Sequence, residues 1–73
     1  MIDIENKYIH AKEIDPIRGK PAYAIVNTKS GSEIACVAWH TGWRRFVMYT
    51  DTPVVFDIGC LKSIIKFIEG LKP

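Results

Sequence analysis

The apolar positions of the chain follow a two-residue rhythm in its middle and a helical rhythm at its end. Residues 22–28 and 33–39 are small, β-branched and aromatic stretches bounded by polar clusters, which predicts two strands. Residues 43–49 alternate in the same way and predict a third. Between them, Lys29-Ser30-Gly31-Ser32 reads as a turn, with Gly31 available for a left-handed residue. Thr41-Gly42 reads as the turn that closes the second hairpin. Upstream, Ile2, Ile4, Tyr8, Ile9 and Ile14 alternate weakly among charged residues and predict a strand over residues 7–12. Pro16, Gly19 and Pro21 predict a loop over residues 15–21, since a proline cannot donate to a ladder. Thr50-Asp51-Thr52-Pro53 breaks the rhythm, and residues 54–56 read as a short edge strand.

From Asp57, a good N-cap, the period becomes helical to about Leu71. At about 100° per residue, Ile58, Leu61, Ile64, Ile65, Ile68 and Leu71 share one half of the wheel, and Cys60 and Phe67 widen that stripe. Gly59, Lys62, Ser63, Lys66, Glu69 and Gly70 fill the other half. Lys72 suits the negative end of the helix dipole, and Pro73 ends the chain. The prediction is a small α+β layer: an antiparallel meander of three to five strands with one amphipathic C-terminal helix on one face, in a single domain over residues 1–73.

Alternation also assigns the faces. A two-residue Thr41-Gly42 turn pairs Trp39 with Arg44, Val37 with Phe46, Cys36 with Val47 and Ile34 with Tyr49. A three-residue loop with a left-handed Gly42 pairs Trp39 with Trp43 instead. In the two-residue register both faces are largely apolar, and one helix covers only one. The other face is then left for a second subunit, a ligand, or residues 1–21 folded back. The expected state is a homo-oligomer, most simply a two-fold dimer.

Composition sharpens this. A chain of 73 residues buries only roughly 60% of its unfolded surface, so its core supplies on the order of 3–5 kcal/mol. It is 48% hydrophobic and 25% charged, which excludes wholesale disorder. A net charge of +2 is too small for a protein that coats nucleic acid generally. The acidic N-terminus lacks a signal-peptide core, and no apolar run approaches the ~20 residues of a membrane span. The expectation is a cytoplasmic protein with reduced Cys36 and Cys60.

The chemistry concentrates in Trp39-His40-Thr41-Gly42-Trp43-Arg44-Arg45-Phe46. Tryptophan and tyrosine stack on nucleobases with little sequence demand, and arginine both stacks on indole and presents donors to phosphate. Trp39, Trp43, Arg44, Arg45 and Tyr49, with His40 at the rim, are therefore the candidate ligand-binding residues. The plainer alternative is that the aromatic rings are core and the arginines reach from it into water. Cys36 and His40 share a strand face four residues apart, on the order of 13 Å in an extended strand. That is too far to share a zinc with ligands at ~2.0–2.3 Å, and no metal or cofactor is expected. Cys36, mid-strand among Ala and Val, reads as an inert buried thiol rather than a nucleophile served by His40 or His10. The acidic residues form no paired motif, no phosphate loop is present, and no enzymatic activity is expected.

The outline Trp39, Trp43-Arg44-Arg45-Phe46, a proline-containing loop, Val55-Phe56-Asp57, Cys60-Leu61, Ile64 and Phe67-Ile68 resembles a family of small uncharacterised proteins carried by bacteriophages and prophages. It covers about half of the chain. The resemblance implies a shared fold and no particular activity. It also implies a context, the cytoplasm of a host cell, in which such proteins bind a host protein, a nucleic acid or a nucleotide signal of host immunity. The functional expectation is a non-enzymatic module that sequesters an anionic nucleotide-type ligand as a counter-defence sponge. A protein–protein inhibitor or adaptor of a host factor, and a single-stranded nucleic-acid binder, are the alternatives.

Overall fold

The computed structural model describes residues 3–50 and 53–71. It contains strands β1 (Ile9–Ile17), β2 (Lys20–Asn27), β3 (Glu33–His40) and β4 (Arg45–Tyr49), and one helix, α1 (Ile58–Glu69). The strands form one antiparallel sheet in the order β1-β2-β3-β4, and α1 packs across one face. This is the small α+β fold that the pattern predicts. Among the described residues, 54–56 carry no strand. Expectations placed on Ile2, Asp51, Thr52, Lys72 and Pro73 lie outside the described residues.

Residues 15–21 are not a loop. β1 runs on to Ile17 and turns through Arg18-Gly19 straight into β2, with Ile17 opposite Lys20. Both turn residues have positive φ, 51° at Arg18 and 78° at Gly19, the type I′ form whose twist suits a two-residue hairpin. The prolines are tolerated for local reasons. Pro16 lies in an edge strand, where one side of the backbone has no partner to lose. Pro21 sits at the start of β2, opposite the irregularity between Ile14 and Ile17.

The second hairpin also departs from expectation. Its loop is four residues, Thr41-Gly42-Trp43-Arg44, and the ladder pairs His40 with Arg45, Trp39 with Phe46, Val37 with Met48 and Cys36 with Tyr49. The register differs by two residues from that of a two-residue turn. A two-residue slip preserves the side-chain period, so the faces of residues 35–39 and 45–49 survive while every cross-strand partner changes. A bulge between Glu33 and Ala35 turns Ile34 onto the helix face, where it packs against the core beside Ala35. Arg44 is the last loop residue, not a strand residue, and it is left-handed with φ 54°.

The core lies between α1 and one face of the sheet. Ile9, Ile25, Val37 and Phe46 of the sheet meet Ile64 and Phe67 of the helix, with Ile4 beneath them. Phe67 and Tyr23 meet edge to face, centroids 5.3 Å apart, and Trp39 and Phe46 pack likewise at 5.3 Å. The Asp57 carboxylate accepts the Cys60 N–H at 2.7 Å and caps α1. The helix is rotated from the centre of its apolar arc. Phe67, at the arc's margin, is buried and Cys60 packs against the core, whereas Ile58, Leu61 and Ile65 are exposed. The segment before β1 explains the rotation. It runs along one flank of α1, with Ile4 in the core, the Asn6 amide donating to Ser63 Oγ at 3.2 Å, and Glu5 paired with Lys66. That flank is therefore occupied, and the surplus apolar ridge faces outward on the other.

Because the described part of this segment lies on the helix side, through Ile4, Glu5 and Asn6, it does not cover the second face of the sheet. That face is lined along β2 and β3 with small residues, of which Ala22, Ala24 and Ala38 are buried. Among the described residues no helix is long and apolar enough to cross a membrane.

Candidate ligand groove

In a four-strand meander, the β1–β2 and β3–β4 turns lie at the same end of the sheet. The Arg18-Gly19 tip and the Thr41–Arg44 loop are thus neighbours in space, though more than twenty residues apart in sequence. Between them lies a groove of about 520 Å³, lined by Ile17, Arg18, Cys36, Ala38, Trp39, His40, Thr41, Gly42 and Tyr49. A ligand pocket commonly holds ~300–1,000 Å³.

His40 organises this end. Its Nδ1 takes a hydrogen bond from the Trp43 amide, and the Arg44 amide bonds the His40 carbonyl at 2.7 Å. One residue thus ties down two loop amides with two different acceptors. The neutral ring then carries its proton on Nε2, the free nitrogen. Gly42 makes room for the ring: a Cβ there would stand 3.1 Å from His40 Cε1. The imidazole stacks on the Trp43 indole at 4.5 Å. It also lies nearly parallel to the Tyr49 ring, 14° between planes and 6.5 Å between centroids. Ala38, small and almost fully buried, lines the groove beside both rings.

The candidate residues divide into two groups. His40, Trp43 and Tyr49 come together as an aromatic row, with His40 and Tyr49 on the groove. Trp39 borders the groove but packs its ring on Phe46 toward the helix, with the Lys20 ammonium 5.5 Å from its centroid. Arg44 and Arg45 border a second depression beside Trp39, Phe46, Ile68 and Leu71, and the Arg45 guanidinium donates from Nε to the Trp43 carbonyl at 3.2 Å. Neither arginine lines the main groove. The cation there is Arg18, which sequence reasoning missed together with Ile17, Cys36, Ala38, Thr41 and Gly42. The missed signal is Arg18-Gly19 flanked by extended residues, a two-residue hairpin motif that the two prolines masked.

Cys36 is half-buried and opens onto the groove rather than lying inert in the core. Burial pushes its thiol up, and the nearby Glu33 charge adds to the effect, so the nucleophilic thiolate is disfavoured. Cys36 and Cys60 are both free thiols. Among the described residues, no cluster of three or more His, Cys, Asp or Glu is placed to hold a metal ion. Electrostatically the groove end is basic, since Arg18, Lys20, Arg44 and Arg45 all belong to the two hairpin tips gathered there.

Comparison with protein-family models, curated proteins and solved structures returned no match.

Proposed function

We propose that the groove captures a planar, anionic ligand of nucleotide type and holds it without transforming it. The observation that carries this reading is the pair of near-parallel rings, His40 and Tyr49, which line the same groove with centroids 6.5 Å apart beside the small side chain of Ala38. A base entering between them stacks on both faces, and stacking is worth ~1–3 kcal/mol per base. Arg18 at the rim supplies a guanidinium for phosphate, and the basic residues of both hairpin tips favour an anion approaching this end. The raised Cys36 thiol supports capture rather than covalent attack. The resemblance to phage-borne proteins makes cyclic dinucleotides and related immune signals the first ligands to test, in the role of a sponge.

The test is a thermal-shift panel of mono-, di- and cyclic dinucleotides, followed by heat release and chromatography of whatever binds. The expected result is a rise in melting temperature with at least one of them, and recovery of that ligand unchanged. No shift with any nucleotide, or recovery of a converted product, contradicts the proposal. Arg18→Ala and Tyr49→Ala are expected to weaken binding at least tenfold each.

A further inference from the structure

The two edges of the sheet are built differently. Along β1 the outward side is guarded: Asp3 Oδ1 accepts the Ala11 amide at 2.8 Å, Pro16 removes a donor, and the strand is irregular after Ile14. These are the devices by which natural sheets block edge pairing. Along β4, among the described residues, no side chain or strap takes an outward backbone group. The exposed ridge of α1 lies on this same side, since the segment before β1 occupies the opposite flank of the helix and Ile68 lies beside Arg45 and Phe46. Ile58, Leu61 and Ile65 of that ridge are 71%, 41% and 56% exposed.

We propose that β4 pairs antiparallel with β4 of a second copy about a two-fold axis at Val47, joining two sheets into one of eight strands. The sequence of the strand, Arg45-Phe46-Val47-Met48-Tyr49, is complementary to its own reverse. Centring on Val47 sets Arg45 against Tyr49, Phe46 against Met48, and Val47 against itself. The first pair is cation on aromatic, the second thioether on aromatic, and the third a β-branched match. No like charges face each other. Among two-fold registers, only this one pairs all five residues, because centring on Phe46 or Met48 leaves part of the strand outside the ladder. The axis keeps both helices on one face and brings both exposed ridges to the seam side. It also places Arg45 of the second copy beside Tyr49, a wall of the groove. That last consequence rests on the ligand reading above; the pairing itself does not.

The solution mass of the full chain over a concentration series tests the pairing. The expected mass is twice 8.3 kDa. Val47→Lys and Val47→Glu each set like charges face to face at the axis, so each is expected to run as a single copy. Their equimolar mixture is expected to return to the doubled mass. Where a charged variant loses its circular dichroism signal, Val47→Cys on a Cys36→Ser, Cys60→Ser background decides the matter. Mild oxidation is expected to link two copies through position 47. A wild-type chain that stays at single mass, charged variants that keep the doubled mass, folded variants that fail to recombine, or a Val47→Cys chain that does not cross-link overturns the proposal.

Discussion

The Trp43 amide donates to Nδ1 of His40 at 3.0 Å while the indole of the same tryptophan stacks on the imidazole, centroids 4.5 Å apart. The loop that carries Trp43 is thus held through one side chain, and the wall of the groove is set by the contact that closes the hairpin. His40→Ala removes both the acceptor and the stack. The expected loss is about 1–2 kcal/mol, from a hydrogen bond of ~0.5–1.5 kcal/mol and an aromatic pair of similar size. Urea denaturation measures it. His40→Phe, which keeps the stack and removes the acceptor, should lose only part of that stability.

The orientation of α1 is tested by two residues of like character and opposite placement. Phe67 is 3% exposed and closes on Tyr23. Phe67→Ala is expected to cost ~3–5 kcal/mol, comparable to the whole stability of so small a core, and to leave the chain largely unfolded. Ile65 lies on the outer ridge, and Ile65→Ala is expected to change the stability of the single chain by less than about 0.5 kcal/mol. Denaturation midpoints of the two variants, compared at a concentration where the chain is a single copy, check both.

Asp57 makes the N-cap pH-sensitive. The Cys60 backbone amide, hydrogen-bonded to its carboxylate, holds the Asp57 carboxyl below the usual range. A folded-state pKa below the unfolded one gives stability that is full above the unfolded value, about 3.9, and is lost as pH falls through the folded value. Asp57→Asn keeps a capping oxygen without the charge. It is expected to melt lower than wild type at neutral pH, with the gap closing as the pH drops below about 3.9. Melting curves across that range show the convergence, and a gap that stays constant with pH argues against the cap.

The two cysteines report on the groove. Burial pushes both thiols up, with a further push from Glu33 at Cys36 and from Asp57 at Cys60. Both are expected to react with iodoacetamide more slowly near pH 8 than an unstructured peptide thiol does. A bound nucleotide should slow Cys36, which lines the groove, and leave Cys60 on the helix unchanged. Mass spectrometry of digested samples separates the two sites. Equal protection of both thiols, or of neither, points away from the groove.

The rhythm of the chain carried the antiparallel sheet, the helix and most of the faces, but neither the register nor the extent of β1, nor residues 54–56, where the expected strand is not formed. Strand alternation between Glu33 and Tyr49 is invariant to a slip of two residues, so nothing in it separates Trp39 beside Arg44 from Trp39 beside Phe46. The loop length turned on Arg44 adopting a left-handed backbone, which arginine rarely does. Around Pro16 and Pro21 the expected loop gave way to a hairpin, because proline is tolerated in an edge strand, as at Pro16, and at the start of a strand beside a bulge, as at Pro21. The helix wheel gave the right arc and the wrong centre, since the arc is wider than the contact and the segment around Asn6 takes one flank. The groove itself joins Arg18 to His40 and Tyr49 through sheet topology, a non-local relation that no local spacing encodes. The aromatic half of it was legible; the cationic half was not.

The most direct test of ligand capture between the His40 and Tyr49 rings is the backbone and side-chain NMR spectrum of the chain, titrated with the nucleotide that most raises its melting temperature. Shift changes are expected to centre on Arg18, Ala38, His40 and Tyr49, with contacts from base protons to both the His40 and Tyr49 rings. Changes centred instead on Arg44, Phe46, Ile68 and Leu71, or a spectrum that does not move, would contradict it.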